Sequence, residues 1–140
     1  MKKLYLDIDG VLLTAKQTAP ASNVHQFINF VTSNFDCYWL TTHCKGNNQT
    51  ALKYLEQYFD KTTLAKLEII KPTNWATLKT EAIDFTSDFF WLEDFPFQSE
   101  INILVNKNKK DKLITVDLNK SDELLRLIVF LEQSISAIAQ

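Results

Sequence analysis

Two aspartates one residue apart, followed by a glycine, are the residues of this sequence whose spacing best suits chemistry. The motif Asp7-Ile8-Asp9-Gly10 lies between two apolar runs, residues 4–6 and 11–13. A short apolar run that ends in acids and a glycine is typical of a buried strand that opens into a turn. Two carboxylates held this close repel each other unless a metal ion or a basic group keeps both ionised. The motif therefore predicts metal-assisted phosphoryl chemistry.

The same motif has two other interpretations. A calcium-binding loop that began at Asp7 would need oxygen ligands at its fifth, ninth and twelfth positions. Those positions hold Val11, Ala15 and Thr18, which argues against calcium. An ordinary Asp-Gly turn stays open as an alternative, although the strand-like segments on both sides argue against it.

The composition predicts one globular domain that covers residues 1–140. Hydrophobic residues make up 46% of the chain and charged residues 23%, which is ordinary for a soluble protein with one buried core. The net charge of −2 excludes a strongly basic nucleic-acid surface but allows a local basic patch. Since the chain has only two glycines, Gly10 and Gly46 each predict a backbone that needs unusual freedom.

The distribution of apolar residues predicts a cytoplasmic protein without a membrane partner. Only about three apolar residues lie between the basic start of the chain and Asp7, and the sequence has no run of 18 apolar residues. The two cysteines, Cys37 and Cys44, are too few for a disulfide framework or a zinc site. Cys44 follows His43, as a nucleophile beside its base would, but adjacent residues rarely aim their side chains at each other.

Strands and helices are predicted to alternate along the chain. The predicted strands cover residues 3–8, 37–40, 67–70, 89–92 and 113–116, and the ambiguous stretch 97–112 has room for an edge strand at 103–105. Ser22 and Thr73 are predicted to cap two helices, and two others are predicted to begin at Asn47 or Asn48 and at residues 121–123. The last helix carries an apolar stripe that ends at Ile138. Such alternation implies a parallel sheet covered on both faces. We therefore predict an α/β fold, a three-layer α/β/α doubly wound parallel sheet.

Polar residues follow four of the predicted strands. They are Asp7 and Asp9 at the end of the first strand, Thr41 at the end of the second, Lys71 at the end of the third, and Glu93 and Asp94 at the end of the fourth. Ligands of parallel α/β sheets bind outside the carboxyl ends of the strands. The sequence thus predicts that acids, a hydroxyl group and a base gather at one edge of the sheet.

With these segments the chain resembles the haloacid dehalogenase (HAD)-like hydrolase superfamily, most of whose members are magnesium-dependent phosphatases. The resemblance spans nearly the whole chain and rests on residues 7–12, on Trp39-Leu40-Thr41, on a downstream lysine and on Trp91-Leu92-Glu93-Asp94. The first motif is specific when it follows a strand, whereas a threonine or a lysine alone is a weak signal. The resemblance implies a Rossmann-like, HAD-like core and a phosphomonoesterase activity.

The resemblance also implies a role for each site residue. Asp7 would be the nucleophile that forms an aspartyl-phosphate. Asp9 would protonate the leaving oxygen and later take a proton from the hydrolytic water. Mg²⁺ would bind the Asp7 carboxylate, the Asp9 carbonyl oxygen and Asp94. Thr41 would donate a hydrogen bond to a phosphoryl oxygen, and a lysine would stabilise charge on the transferred group.

Two lysines are candidates for that last role. Lys71 follows the predicted third strand, where many members of the superfamily carry their lysine. Lys79 lies in a predicted helix that resembles the one before the acidic strand in polynucleotide-end phosphatases of the superfamily. Because helical side chains lean toward the helix N-terminus, Lys79 is expected to reach the site from the second helical turn. Lys79 is favoured, and Lys71 stays the alternative.

The chain departs from the superfamily pattern in two places. Glu93 stands where an aspartate is common, which is tolerable if this residue reaches the metal through water but weakens Mg²⁺ binding if it is a direct ligand. In addition, the short connections after the first two strands leave no room for a cap domain. An open site suits a macromolecular phosphate, such as a nucleic-acid end or a phosphoprotein, that itself excludes water.

Three functions were compared. The first is a Mg²⁺-dependent phosphohydrolase, and the second is a non-catalytic HAD-like domain that binds a partner or a phosphate ligand. The third is a phosphoacceptor switch, which needs an aspartate after the third strand, where residues 69–71 offer none. The presence of both Asp7 and Asp9 favours the first function. Whether the phosphate belongs to a small molecule, a protein or a nucleic-acid end stays open, as does the oligomeric state.

Overall fold

The computed structural model describes the backbone of residues 1–139 and the side chains of residues 1–136. Its centre is a four-stranded sheet with the order β2-β1-β3-β4. The strands are β1 (Lys3–Leu6), β2 (Asp36–Trp39), β3 (Phe89–Glu93) and β4 (Leu113–Thr115). Every pairing between them is parallel, so all four carboxyl ends lie at the same edge of the sheet. The predicted α/β class with a parallel sheet is confirmed.

Five α-helices accompany the sheet within the described part of the chain. They are α1 (Val24–Asn34), α2 (Gln49–Leu55), α3 (Lys61–Leu67), α4 (Gln98–Asn106) and α5 (Glu123–Ala139). The predicted 3.6-residue period of α1 is confirmed, because Val24, Phe27, Ile28 and Val31 are all buried. The predicted cap is Ser22, but the residue at the N-cap position is Asn23. The backbone of Asn23 is left-handed, and its side chain makes no capping hydrogen bond. In α5 the predicted apolar residue Ile138 lies outside the residues whose side chains are described.

The side chains of the strands belong to two hydrophobic clusters, and successive residues of a strand alternate between them. Leu4 and Leu6 of β1 belong to the larger cluster, together with the buried residues of α1 and α5. Tyr5 belongs to the smaller cluster, together with Trp91 of β3 and Leu104 of α4. Because successive side chains of a strand point to opposite faces, the sheet is packed on both faces. This packing fixes the strand ends that carry the polar residues.

The predicted strand at residues 67–70 is wrong. Helix α3 ends at Leu67, and the chain reaches the sheet only at Lys71, which forms a single parallel bridge with Tyr38. The side chain of Asp60 accepts a hydrogen bond from the Thr63 amide at 2.9 Å and so caps the N-terminus of α3. This cap lets the apolar residues between 63 and 70 form a short helix and a turn instead of an extended strand.

The helix predicted to start at Thr73 is also wrong. Residues 79–82 form a short 3-10 helix, and the residues before it are not helical. The carboxylate of Glu81 accepts hydrogen bonds from the amides of Ala76, Thr77 and Leu78 at 2.8–3.2 Å. Because a side chain satisfies these three amides, the segment is stabilised without helical backbone bonds.

The edge strand considered at residues 103–105 is a third correction, because these residues lie inside α4. The buried carboxylate of Glu100 accepts a hydrogen bond from the Phe97 amide at 2.9 Å. This contact satisfies an amide at the helix start, where no backbone acceptor exists. Helix α4 and the adjacent 3-10 helix thus replace the predicted strand.

None of the helices in the described part of the chain has the length and apolar character needed to cross a membrane.

Candidate active site

Three carboxyl groups meet at the carboxyl ends of the two central strands. Asp7 directly follows β1, Glu93 is the last residue of β3, and Asp94 is the next residue. Each offers one oxygen atom, and these three oxygens lie within 4.8 Å of one another. Asp7 and Glu93 are buried, whereas Asp94 is half-buried. We call Asp7, Glu93 and Asp94 the acidic cluster.

The ammonium group of Lys79 joins two members of the acidic cluster. Its Nζ lies 2.9 Å from Asp7 Oδ2 and 2.5 Å from Glu93 Oε1, with only 13% of the lysine side chain exposed. The buried carboxylate of Glu100 accepts a hydrogen bond from the Lys79 backbone amide at 2.8 Å. Lys79 therefore reaches the site from the start of the 3-10 helix Lys79–Ala82, not from the second turn of an α-helix.

Burial and charge in this site change the ionisation of its groups. Burial and the nearby charge of Glu93 raise the pKa of Asp7 from 3.8 to about 7, although Lys79 acts in the opposite direction. Burial also raises the pKa of Glu93, again against the effect of Lys79. Burial alone would lower the pKa of Lys79, but the charges of Asp7 and Glu93 outweigh it and raise this pKa. The pKa of Asp7 thus stays raised even with the Lys79 ammonium group 2.9 Å from its Oδ2.

Gly10 allows Asp94 to approach the N-terminal motif. Its φ is +83°, and a Cβ atom at this position would overlap Cγ and Oδ2 of Asp94. Both the left-handed conformation and the lack of space therefore require glycine. The amides of Val11, Leu12 and Leu13 all donate to the Ile8 carbonyl, which makes the loop after Asp7 compact. Glycine at position 10 thus allows the loop after β1 and the residue after β3 to lie close together.

The carboxylate of Asp9 lies outside the acidic cluster and has two other partners. Its Oδ2 is 2.9 Å from His43 Nε2, and its Oδ1 accepts a hydrogen bond from the Tyr54 hydroxyl at 2.8 Å. The rings of His43 and Tyr54 stack at 3.9 Å between centroids with 10° between their planes. Sequence reasoning missed this arrangement. The spacing of the two residues gives no local signal, because one lies in the loop after β2 and the other in α2.

Thr41 lies at the same edge of the sheet as Asp7. The Leu40 amide donates to the Leu6 carbonyl at 2.7 Å, so the pairing of β1 and β2 continues up to the residue before Thr41. Thr41 is fully buried, and its hydroxyl oxygen accepts a hydrogen bond from the His43 amide at 3.3 Å. This contact uses the oxygen as an acceptor and leaves the hydroxyl proton to donate.

The structure separates Lys71 from these residues. Its Nζ lies 2.9 Å from Asp36 Oδ1, and 56% of its side chain is exposed. Asp36 is the first residue of β2, so this ion pair lies at the amino end of the sheet. Asp7 and Asp94 follow the carboxyl ends of their strands. Of the two candidate lysines, Lys79 alone contacts the acidic cluster.

Cys44 and His43 do not form a nucleophile and its base. The thiol of Cys44 is buried and donates to the Asn47 carbonyl at 3.2 Å, whereas the His43 ring contacts Asp9. Burial raises the pKa of Cys44, which disfavours a thiolate.

The donor set of the acidic cluster fits a hard divalent cation such as Mg²⁺. Carboxylate oxygens are the protein ligands that this ion prefers. Three carboxyl groups lie beside one ammonium group, and the pKa of Asp7 is raised first by burial and then by the nearby charge of Glu93. Next to Gly10 and Asp94 lies a cavity of about 410 Å³, whose other lining residues include Thr14, Lys16 and Asn119. Asp94 is the member of the acidic cluster that lines this cavity.

Comparison of the chain with protein-family models, with curated proteins and with solved structures finds no match.

Proposed function

We propose that this protein is a Mg²⁺-dependent phosphomonoesterase that works through an aspartyl-phosphate on Asp7. The observation that carries the proposal is the ion pair of Lys79 with Asp7 inside the acidic cluster, at the carboxyl edge of a parallel sheet. The proposal extends the resemblance to HAD-like hydrolases. It includes a three-layer α/β/α, HAD-like core without a cap domain.

In the first step a carboxylate oxygen of Asp7 attacks phosphorus, and the bond from phosphorus to the leaving oxygen breaks. Asp9 gives its proton to that oxygen, which leaves as an alcohol. Lys79 and the hydroxyl proton of Thr41 stabilise negative charge on the phosphoryl oxygens. Lys79 suits this role because it already lies 2.9 Å from the nucleophilic carboxylate.

In the second step water attacks the phosphorus of the aspartyl-phosphate. Asp9, now a carboxylate, takes the proton of this water, and the bond from phosphorus to the Asp7 oxygen breaks. Inorganic phosphate leaves and the Asp7 carboxylate is regenerated. The same acid serves both steps because each step leaves it in the protonation state that the other requires.

The residues that would hold Mg²⁺ are Asp7, Asp94 and the carbonyl oxygen of Asp9. When bound there, Mg²⁺ would neutralise the charge that otherwise repels an incoming phosphate. Glu93 is better suited to support this set than to join it, because both of its oxygens are engaged. Its Oε1 contacts Lys79, and its Oε2 accepts hydrogen bonds from the amides of Asp94 and Phe95 at 3.0 and 3.3 Å. Glu93 thus shapes the loop that carries Asp94.

The experiment is a phosphatase assay with p-nitrophenyl phosphate and with 5′- and 3′-phosphorylated oligonucleotides, in Mg²⁺ and in EDTA. We expect the unaltered protein to hydrolyse substrate in Mg²⁺ and not in EDTA. Asp7→Asn should be inactive, and Lys79→Ala should lose about 10²–10³-fold in activity. Lys71→Ala is the matched control, because it removes a lysine at the other end of the sheet and should retain activity.

Two outcomes would count against the proposal. Activity of Asp7→Asn close to that of the unaltered protein would exclude Asp7 as the nucleophile. A folded protein that hydrolyses none of these substrates would favour the non-catalytic, phosphate-binding alternative. Circular dichroism of each variant distinguishes loss of chemistry from loss of fold.

A further inference from the structure

Both carboxylate oxygens of Asp9 are bonded by side chains from other segments. His43 Nε2 contacts Oδ2 at 2.9 Å, and the Tyr54 hydroxyl donates to Oδ1 at 2.8 Å. Asp9 itself is on the first loop, whereas His43 follows β2 and Tyr54 belongs to α2. Three separate segments therefore determine where this carboxyl group lies.

The two partners of Asp9 also restrain each other. Their rings stack almost in parallel, and Tyr54 makes an edge contact with the ring of Tyr58 at 5.6 Å between centroids. Tyrosine and histidine each have two rotatable side-chain bonds, so a stacked pair loses little further freedom when it binds a carboxylate. The His43–Tyr54 pair is thus a stiff support with two polar atoms aimed at one acid.

Stability does not account for this support. The side chain of Asp9 is 44% exposed, and water would solvate it well without any partner. Ion pairs of exposed groups contribute about 0–1 kcal/mol. A carboxylate that must meet a substrate oxygen in one direction, in contrast, gains from fixed orientation.

We infer that His43 and Tyr54 are positioning residues that hold the Asp9 carboxyl group for proton transfer to and from the substrate. This inference rests on the proposed function, in which Asp9 protonates the leaving oxygen. Neither residue touches the reacting atoms. Their effect is exerted through the direction in which Asp9 presents its oxygens.

Positioning of a proton donor matters most for a basic leaving group. An alkyl phosphate releases an alkoxide, which needs a proton as the bond to phosphorus breaks. p-Nitrophenyl phosphate releases a stable phenolate, which departs with little protonation. A poorly oriented Asp9 should therefore slow the first substrate and spare the second.

The test compares the double variant His43→Ala/Tyr54→Phe with the unaltered protein on β-glycerophosphate and on p-nitrophenyl phosphate. We expect kcat for β-glycerophosphate to fall by about 10–100-fold, part of the rate that a positioned acid supplies. kcat for p-nitrophenyl phosphate should stay within about threefold of the unaltered value, since that step needs little acid assistance. His43→Gln, which keeps a nitrogen near the same place, should recover part of the loss.

Matched controls remove the same groups elsewhere. Tyr38→Phe removes a hydroxyl that donates to Asp36, at the amino end of the sheet, and His25→Gln removes an exposed histidine of α1. Both should leave the ratio of the two activities unchanged.

A second measurement does not depend on activity. In the metal-free protein, the ¹⁵N signal of His43 Nε2 should shift when Asp9→Asn removes the carboxylate. It should not shift in Asp117→Asn, a change in the loop after β4. Absence of the Asp9-dependent shift would overturn the inferred contact in solution.

The activity assay separates failure of this inference from failure of the proposed function. If the unaltered protein is active but the double variant loses equally on both substrates, or on neither, the inference is wrong and the phosphatase activity stands. If the unaltered protein hydrolyses neither these two substrates nor the phosphorylated oligonucleotides in Mg²⁺, both are overturned. A loss confined to β-glycerophosphate supports both.

Discussion

Replacement of Asp7 by Asn should change the stability of the metal-free protein in a manner that depends on pH. Burial and the charge of Glu93 raise the pKa of Asp7 from 3.8 to about 7 in the folded chain, against the effect of Lys79. An acid with a raised pKa binds its proton more tightly in the folded state. Its contribution to the free energy of unfolding is therefore present at low pH and is lost as the pH rises from about 4 through 7.

The magnitude follows from the same two pKa values. One pKa unit corresponds to about 1.4 kcal/mol, so ionisation of Asp7 costs the folded state about 4 kcal/mol above pH 7. Asparagine has a similar shape and cannot ionise. The free energy of unfolding of Asp7→Asn should thus rise relative to that of the unaltered protein by about 3 kcal/mol between pH 4.5 and pH 8.

The assay is urea unfolding in EDTA, followed by tryptophan fluorescence at several pH values. Mg²⁺ provides the internal control, because a cation bound at the proposed site would stabilise the unaltered protein by mass action and should have little effect on the variant. A stability difference that does not vary with pH would refute the reasoning. So would a difference that grows in favour of the unaltered protein as the pH rises.

Three further predictions concern other residues. Gly10→Ala should destabilise the fold by at least about 1–3 kcal/mol and remove stabilisation by Mg²⁺, because its φ is +83° and its Cβ would overlap Asp94; urea curves with and without Mg²⁺ identical to those of the unaltered protein would contradict this. Both cysteines should react with Ellman's reagent at pH 8 only as fast as the folded chain opens, because they are buried and burial raises the pKa of Cys37 to about 12; complete reaction within seconds, without urea, would contradict this. Glu100→Ala should lower the free energy of unfolding by about 2–5 kcal/mol, because it leaves the backbone amides of Lys79 and Phe97 without an acceptor. Urea unfolding measures the change, and a loss below about 1 kcal/mol would contradict this, since water would then replace the carboxylate.

The strands of the sheet could be recognised from the sequence because they are short apolar runs that end in polar residues. The acids of the cluster follow from the same pattern, since parallel strands bring their carboxyl ends to one edge. The amino-terminal motif and the pair Glu93-Asp94 lie on neighbouring strands, β1 and β3, although the prediction gave no strand order.

The helices between residues 56 and 112 were harder to predict, because hydrogen bonds from the backbone to side chains, and not the spacing of apolar residues, determine where they form. Asp60 and Glu100 each bond a backbone amide near the start of a helix, and Glu81 satisfies three amides of a segment that would otherwise need helical bonds. These acids were visible in the sequence, but their bonds depend on the folded backbone. Lys79 accordingly reaches the site from a different backbone conformation than the one predicted.

The contacts of Asp9 could not be predicted from the sequence. His43 and Tyr54 are ordinary residues of a loop and a helix, and only the packing of α2 against the loop after β2 brings them to the same carboxylate. Contacts of this kind have no local spacing rule. A search of the sequence for motifs therefore finds the acids and overlooks the residues that orient one of them.

The central position of β1 has a consequence for synthesis of the chain on the ribosome. Of the four strands of the sheet, β1 is synthesised before both of its neighbours, β2 and β3, and the lysine that pairs with Asp7 follows 72 residues after it. Until β3 has been synthesised, one edge of β1 lacks its neighbouring strand and the acidic cluster is incomplete. We expect such a chain to be prone to aggregation and unable to bind a metal ion at this site until translation has passed Asp94.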